Sequence, residues 1–150
     1  IMLNNMLGEE DLNPRGMGSW PLGKRMTSMM APAAIHLPSG DLAIVGSGGS
    51  NRIRSAVALV LTQIARGLEL EAAVVAPRVH AEDEAVWVEL AGREQPAAIR
   101  ERLAAAFPAV RGFAERAFFF GGVHVAALDG RGGLAGVGDQ RRGGVADIVD

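Results

Sequence analysis

The chain has 150 residues, the size of one ordinary domain, and is 49% hydrophobic and 21% charged, the balance of a globular rather than a disordered protein. Fifteen Lys and Arg against seventeen Asp and Glu leave a formal charge of -2, which at whole-chain level excludes the basic footprint of a nucleic-acid binder. The absence of cysteine excludes disulfides, thiolate zinc sites and a cysteine nucleophile, and no apolar run approaches the ~18 residues that a membrane span needs.

In chain order, Ile1 to Asn5 reads as the end of a strand, and a start inside such an element is expected of a fragment. Residues 8–25 are rich in Gly, Pro and polar side chains, the composition of a long irregular loop of the kind that forms lids and binding loops, or a plain surface excursion. Two apolar runs, Met29 to Ile35 and Asp41 to Val45, flank Pro38-Ser39-Gly40 and predict a β-hairpin. After Gly46-Ser47-Gly48-Gly49-Ser50-Asn51, the residues Ile53, Ala56, Val57, Val60, Leu61 and Ile64 recur with helical spacing. Ser50 or Asn51 is the expected N-cap and Gly67 the stop. A short helix is expected over Leu70 to Val75, ended by Pro77. Ala85 to Leu90 alternates, placing Val86, Val88 and Leu90 on one face and Trp87 and Glu89 on the other. Pro96 opens a helix reaching Phe107. Val123 to Leu128 reads as a central strand with a core His124, Asp129 to Gly133 as a turn, and Leu134 to Val137 as another strand before a polar tail. The expected class is α+β, antiparallel strands in hairpins with two or three helices.

The strand, Gly-rich loop and helix at residues 41–66 carry the most chemical information. The loop lacks the lysine of a P-loop and has Asn51 where a dinucleotide fold needs a third glycine. Two readings remain open: a connecting turn, or an oxyanion hole built from backbone N–H groups at a helix start. The acidic run Glu9-Glu10-Asp11 is either a receptor for a substrate ammonium or solvated charge. His36, His80 and His124 are too far apart for a metal-ligand pattern, so no metal and no cofactor are expected. Spacing assigns no Ser-His-Asp triad and excludes none, because triads are spatial.

Several segments resemble one family. Leu3-Asn4-Asn5 with the acidic run that follows resembles the "LNN" segment of the γ-glutamyltransferases (γ-glutamyltranspeptidases). Lys24-Arg25-Met26-Thr27-Ser28-Met29-Met30-Ala31-Pro32 resembles their "KR..SM.P", and Gly46 to Ile53 their "GS.GG.RI". Ala76-Pro77-Arg78-Val79-His80 resembles "APR.H". Phe120 to His124 and Gly138 to Gly144 are similar to the C-terminal segments, the second to "D.R..G". The segments occur in the family's order along essentially the whole chain.

The resemblance implies the four-layer αββα fold of N-terminal nucleophile hydrolases, antiparallel sheets between helices. It also implies a precursor that cleaves itself, so that a new N-terminal threonine becomes the nucleophile. Carried over by position, the family's oxyanion pair falls on Gly49 and Ser50. The serine pair that holds the donor carboxylate falls on Ser28 and Met29, and a glutamine of the donor site on Met6. The aspartate that receives the donor ammonium falls on Glu9, or on Glu10 if the loop carries a shift. The nucleophile is expected upstream of Ile1, since Thr27 lies inside a motif and Thr62 inside a predicted helix.

Residues 1–150 are therefore expected to be the C-terminal fragment of such a catalytic domain, with 8–25 as its substrate-site loop and the large subunit of the same precursor as its partner. The implied activity is transfer or hydrolysis of γ-glutamyl amides such as glutathione, with an amino acid, peptide or water as acceptor. An acylase with changed donor specificity and a non-catalytic relative are the alternatives, and the compartment stays open.

Overall fold

A computed structural model describes residues 6–149; the Leu3-Asn4-Asn5 segment lies outside them. The class is α+β. One sheet has the order β1-β2-β6-β7, from Ala33–His36, Leu42–Gly48, Gly122–Leu128 and Leu134–Val137, and all its pairs are antiparallel. A second sheet has the order β3-β4-β5, from Val79–Glu82, Ala85–Glu89 and Ala109–Phe113. The β4–β5 pair is parallel, joined through α3 (Pro96–Ala104). Neither β3 nor β5 was expected from the sequence: β3 is only four residues long, and Arg111-Gly112 interrupts the apolar pattern of β5.

The expected hairpin is β1–β2, with Ala33 opposite Val45 and His36 opposite Leu42. Its first strand starts only at Ala33, leaving Met29 to Pro32 outside any regular element. The predicted helices are α1 (Ile53–Ala65) and α2 (Leu70–Val75). Helix α1 buries Ile53, Ala56, Val57, Val60 and Ile64 against Ala43 and Val45 of β2 and Val123 and Val125 of β6. Each large aliphatic side chain so buried contributes about 1.5–3 kcal/mol, which is why a stripe at helical spacing identifies the element from sequence. The helix ends at Gly67 in a Schellman pair, Gly67 N–H to Ile64 O and Leu68 N–H to Gln63 O.

The N-cap expectation needs correction. Ser50–Arg52 forms a 3-10 turn that leads into α1, and neither Ser50 nor Asn51 caps the helix with its side chain. Both side chains are engaged elsewhere.

Two further expectations, about single residues, also need correction. His124 is exposed on the outer face of β6 rather than in the core, beside exposed Ile44 and Leu128. Glu89, expected on an outer strand face, is fully buried. Its carboxylate accepts a forked pair from Arg141, Nε to Oε1 at 2.8 Å and a terminal nitrogen to Oε2 at 2.6 Å. It also accepts the N–H groups of Arg78 (2.9 Å) and Ala117 (3.0 Å). Asp139 pairs with Arg78 and accepts the Val123 N–H at 3.0 Å. Arg141 donates in addition to the carbonyls of Val74 (3.1 Å) and Ala76 (3.0 Å) at the end of α2. The polar tail thus supplies the charges that tie the two sheets and α2 together.

Among the described residues, no helix is long and apolar enough to cross a membrane.

Candidate active site

The loop between β2 and α1 has an unusual backbone. Gly49 adopts φ 135° and ψ 27°, and Ser50 adopts φ 55°, a left-handed conformation that a side chain disfavours. Such conformations cost about 1–3 kcal/mol and persist only where the surroundings over-determine them. Here several contacts do so.

From one side comes the Phe120–Gly122 segment. Gly121 lies at φ 71° and ψ -171°, a region open essentially to glycine. A Cβ there would press into the Gly48 carbonyl oxygen, and a Cβ on Gly49 would come within 3.0 Å of the Gly121 Cα. The two backbones can lie this close only because both carry glycine. Arg78, 2% exposed, holds the segment from behind by donating to the carbonyls of Phe120 (3.0 Å) and Gly121 (3.3 Å). The buried ion network therefore also supports the back of the Gly-Ser loop.

From the other side comes the acidic segment. Residues Met6–Gly8 and Glu10–Leu12 form two 3-10 turns, the second tied back by the Asn13 N–H to Glu10 O at 2.9 Å. The Ser50 hydroxyl donates to Asp11 Oδ2 at 2.6 Å and lies 3.3 Å from Glu9 Oε2. Residues 41 and 39 positions apart in sequence are thus joined through one hydroxyl. Glu10 is exposed. A cavity of about 230 Å³ opens beside this junction, lined by Asp11, Leu12, Met29, Asn51 and Arg54.

The predicted site residues divide accordingly. Ser50, next to Gly49, meets Glu9, and Met29 lines the adjoining cavity with Asp11 and Asn51. Met6 is half-buried in the first 3-10 turn, where its carbonyl accepts the Glu9 N–H at 3.2 Å. Ser28 is exposed, and its hydroxyl accepts the Met30 N–H at 3.1 Å. Thr62 donates to the Ala58 carbonyl at 2.7 Å along α1, and Thr27 is exposed.

Asp11 entered the sequence reading only as part of the acidic run and Asn51 only as a loop residue and N-cap, and Glu82 had no place in it. The Asn51 carboxamide donates to Glu82 Oε1 at the end of β3 and accepts from Arg52 at 2.9 Å. Behind it, His80 is 1% exposed; its Nδ1 shares a hydrogen bond with Ser55 Oγ at 2.8 Å, and its Nε2 lies 3.6 Å from Glu82 Oε2. Burial pushes the His80 pKa down despite Glu82, with Arg52 and Arg54 adding to the fall, so the ring is neutral near pH 7. His80 and Glu82 are neighbours on β3, but their partners Asn51, Arg52 and Ser55 come from the turn before α1 and from α1 itself, so the sequence did not mark the set. Among the described residues, no group of three or more His, Cys, Asp or Glu side chains could hold a metal ion.

Chemically, two adjacent backbone amides at a helix start form an electrophilic corner. Carboxylates one hydroxyl away from it can receive a cation.

A family model described as Gamma-glutamyltranspeptidase matches residues 1–149. The glutathione hydrolase proenzyme of Bacillus subtilis (strain 168) is 36% identical over 81 residues, 53% of this chain and 14% of that protein's length. The transpeptidase CapD of Bacillus anthracis superposes with a TM-score of 0.72 at 26% identity, covering 85% of this chain and 75% of that one. A mutant gamma-glutamyltranspeptidase from Pseudomonas nitroreducens superposes with a TM-score of 0.68 at 25% identity, covering 87% of this chain and 67% of that one. The α+β, N-terminal nucleophile hydrolase fold implied by the sequence resemblance is the fold of these neighbours.

Proposed function

Because the chain belongs to the gamma-glutamyltranspeptidase family, we propose that it supplies the oxyanion and donor-recognition part of an enzyme that transfers or hydrolyses γ-glutamyl amides. The proposal places the nucleophile, a threonine at a self-cleavage junction, outside residues 1–150, on a protein whose large subunit completes the site.

The threonine hydroxyl adds to the γ-amide carbonyl as its proton passes to the threonine's own α-amino group, and the oxygen that becomes negative is received by the N–H groups of Gly49 and Ser50. Collapse expels the amine, which takes up that proton from the α-amino group, and leaves a threonyl ester. Water or an acceptor amine then cleaves the ester through the same corner. The removal of one donor from such a hole typically lowers kcat by about 10²–10³. Glu9 and Asp11 receive the donor ammonium, and Ser28 and Met29 line the approach to its carboxylate.

The carrying observation is the Ser50 hydroxyl on Asp11 and Glu9. It holds the proposed oxyanion corner and the proposed ammonium receptor in fixed register, as a γ-glutamyl group requires. A second reading, an acylase of the same class with a less polar donor, draws on Met6 and on Met29 in the cavity, where the family resemblance would place a glutamine and a serine.

The test is steady-state kinetics of the complete processed protein with a γ-glutamyl anilide and an aliphatic acyl anilide. Turnover of the first over the second is expected, and the reverse preference selects the acylase. Glu9→Gln is expected to raise KM for the γ-glutamyl donor roughly 10-fold, the cost of one charged hydrogen bond of about 1.5 kcal/mol, while Glu10→Gln leaves it within about twofold. Equal effects would show that Glu9 is not the ammonium receptor.

A further inference from the structure

The carboxamide of Asn51 is the next side chain after the proposed oxyanion pair, and it is held at both ends. Its Nδ2 donates to Glu82 Oε1, and its Oδ1 accepts from Arg52 at 2.9 Å. Arg52 is fixed in turn, Nε to the Phe119 carbonyl at 2.9 Å and its guanidinium 4.8 Å from the Phe119 ring centroid. Glu82 ends β3 opposite Ala85, and its second oxygen faces buried His80, which is bound to Ser55 in the first turn of α1. One carboxylate therefore connects the β3–β4 hairpin to the residue that follows a strained loop.

We propose that Glu82 is a positioning residue for the Gly49–Ser50 amide pair, acting through the Asn51 carboxamide. The inference rests on the oxyanion role proposed above and adds what holds that pair in place. A loop under strain gains from each contact that resists its relaxation. Gly49 and Ser50 both lie at positive φ, and relaxation of Ser50 toward an ordinary conformation would turn its N–H away from the acyl oxygen. The Ser50 hydroxyl and the Gly121 contact restrain the loop at residues 49 and 50. The Arg52 N–H to Gly49 carbonyl bond at 3.2 Å closes the turn across Ser50 and Asn51, and the Glu82–Asn51 bond ties that turn to β3. The function requires an acceptor oxygen at Glu82 rather than its charge. A glutamine can accept from Asn51 in the same place, and a leucine cannot.

A misaligned oxyanion donor is felt only when negative charge develops, so the effect falls on kcat and not on KM. In the complete processed protein, assayed with a γ-glutamyl anilide, Glu82→Leu is expected to lower kcat roughly 10- to 100-fold with KM within about twofold. Glu82→Gln is expected to restore kcat to within about threefold. Asn51→Ala is expected to match Glu82→Leu, and the double variant to be no worse than either single one, because both break the same bond. The rates are referred to the amount of processed, folded protein, measured by subunit cleavage and thermal midpoint. Asn51→Ala alone carries the test if Glu82→Leu does not accumulate.

An unchanged kcat in Glu82→Leu or Asn51→Ala, a rise in KM instead of a fall in kcat, or no recovery with glutamine would overturn the inference while leaving the enzyme reading intact. A wild-type processed protein inert toward both acyl anilides would overturn the enzyme reading, and the inference with it.

Discussion

Arg141→Met in the complete protein is expected to lower stability by about 3–5 kcal/mol, the cost of leaving one half of a buried ion pair without its partner. The Glu89 carboxylate is 0% exposed, and two of its strongest hydrogen bonds come from Arg141. The same guanidinium serves the Val74 and Ala76 carbonyls, which α2 leaves without helical partners. Arg141→Lys is expected to recover less than half of the loss, since an ammonium cannot reproduce the planar fork across both Glu89 oxygens and those carbonyls. Urea denaturation checks both values, and a loss below about 1 kcal/mol for Arg141→Met would show that the network contributes little. The network also sets an acid limit. Burial pushes the Glu89 and Asp139 carboxyls up, but the hydrogen bonds and charges of Arg141 and Arg78 outweigh it and leave both below the usual range. The folded state then binds these protons less readily than the unfolded chain. Its advantage is complete above the ordinary carboxylate range near pH 4 and is lost as pH falls through the depressed folded values.

Ser50→Val is expected to lower kcat toward γ-glutamyl donors by about 10²–10³, the second large effect. A β-branched side chain at φ 55° is strongly disfavoured, and valine also loses the hydroxyl that joins the loop to Asp11 and Glu9. Both changes move the Ser50 N–H. Ser50→Gly separates the two causes: it relaxes the backbone but removes the hydroxyl, and is expected to lower kcat by about 10-fold or less. Equal losses in Val and Gly would assign the effect to the hydroxyl, and no loss in either would remove the oxyanion role from this residue.

The elements that were legible in the sequence share a property. The stripe Ile53, Ala56, Val57, Val60 and Ile64, the run Leu70–Val75 and the hairpin about Pro38-Ser39-Gly40 state their burial in their own periodicity. Strand β5 did not, because a short strand carrying Arg111-Gly112 is recognised only by its partner β4. The buried charges were misjudged for a related reason. Glu89 and Arg141 look solvated in a linear reading, and their burial follows only from being paired across 52 positions. Of the candidate site, the Gly-Ser loop and the acidic run were visible as separate motifs. Their contact through Ser50, the part played by Asp11 and the Asn51–Glu82 bond depend on the fold that brings residues 9–11, 50–51 and 82 together.

The central claim is a division of labour, with residues 1–150 stabilising and recognising a γ-glutamyl group that another segment attacks. Peptide mapping of the acyl-enzyme, trapped by acid quench of the complete processed protein with a γ-glutamyl anilide, tests it most directly. The account predicts a γ-glutamyl adduct on an N-terminal threonine outside residues 1–150, with Thr27, Ser55 and Thr62 unmodified, and no anilide turnover by the 150-residue chain alone. An adduct on any hydroxyl within residues 1–150 would contradict it.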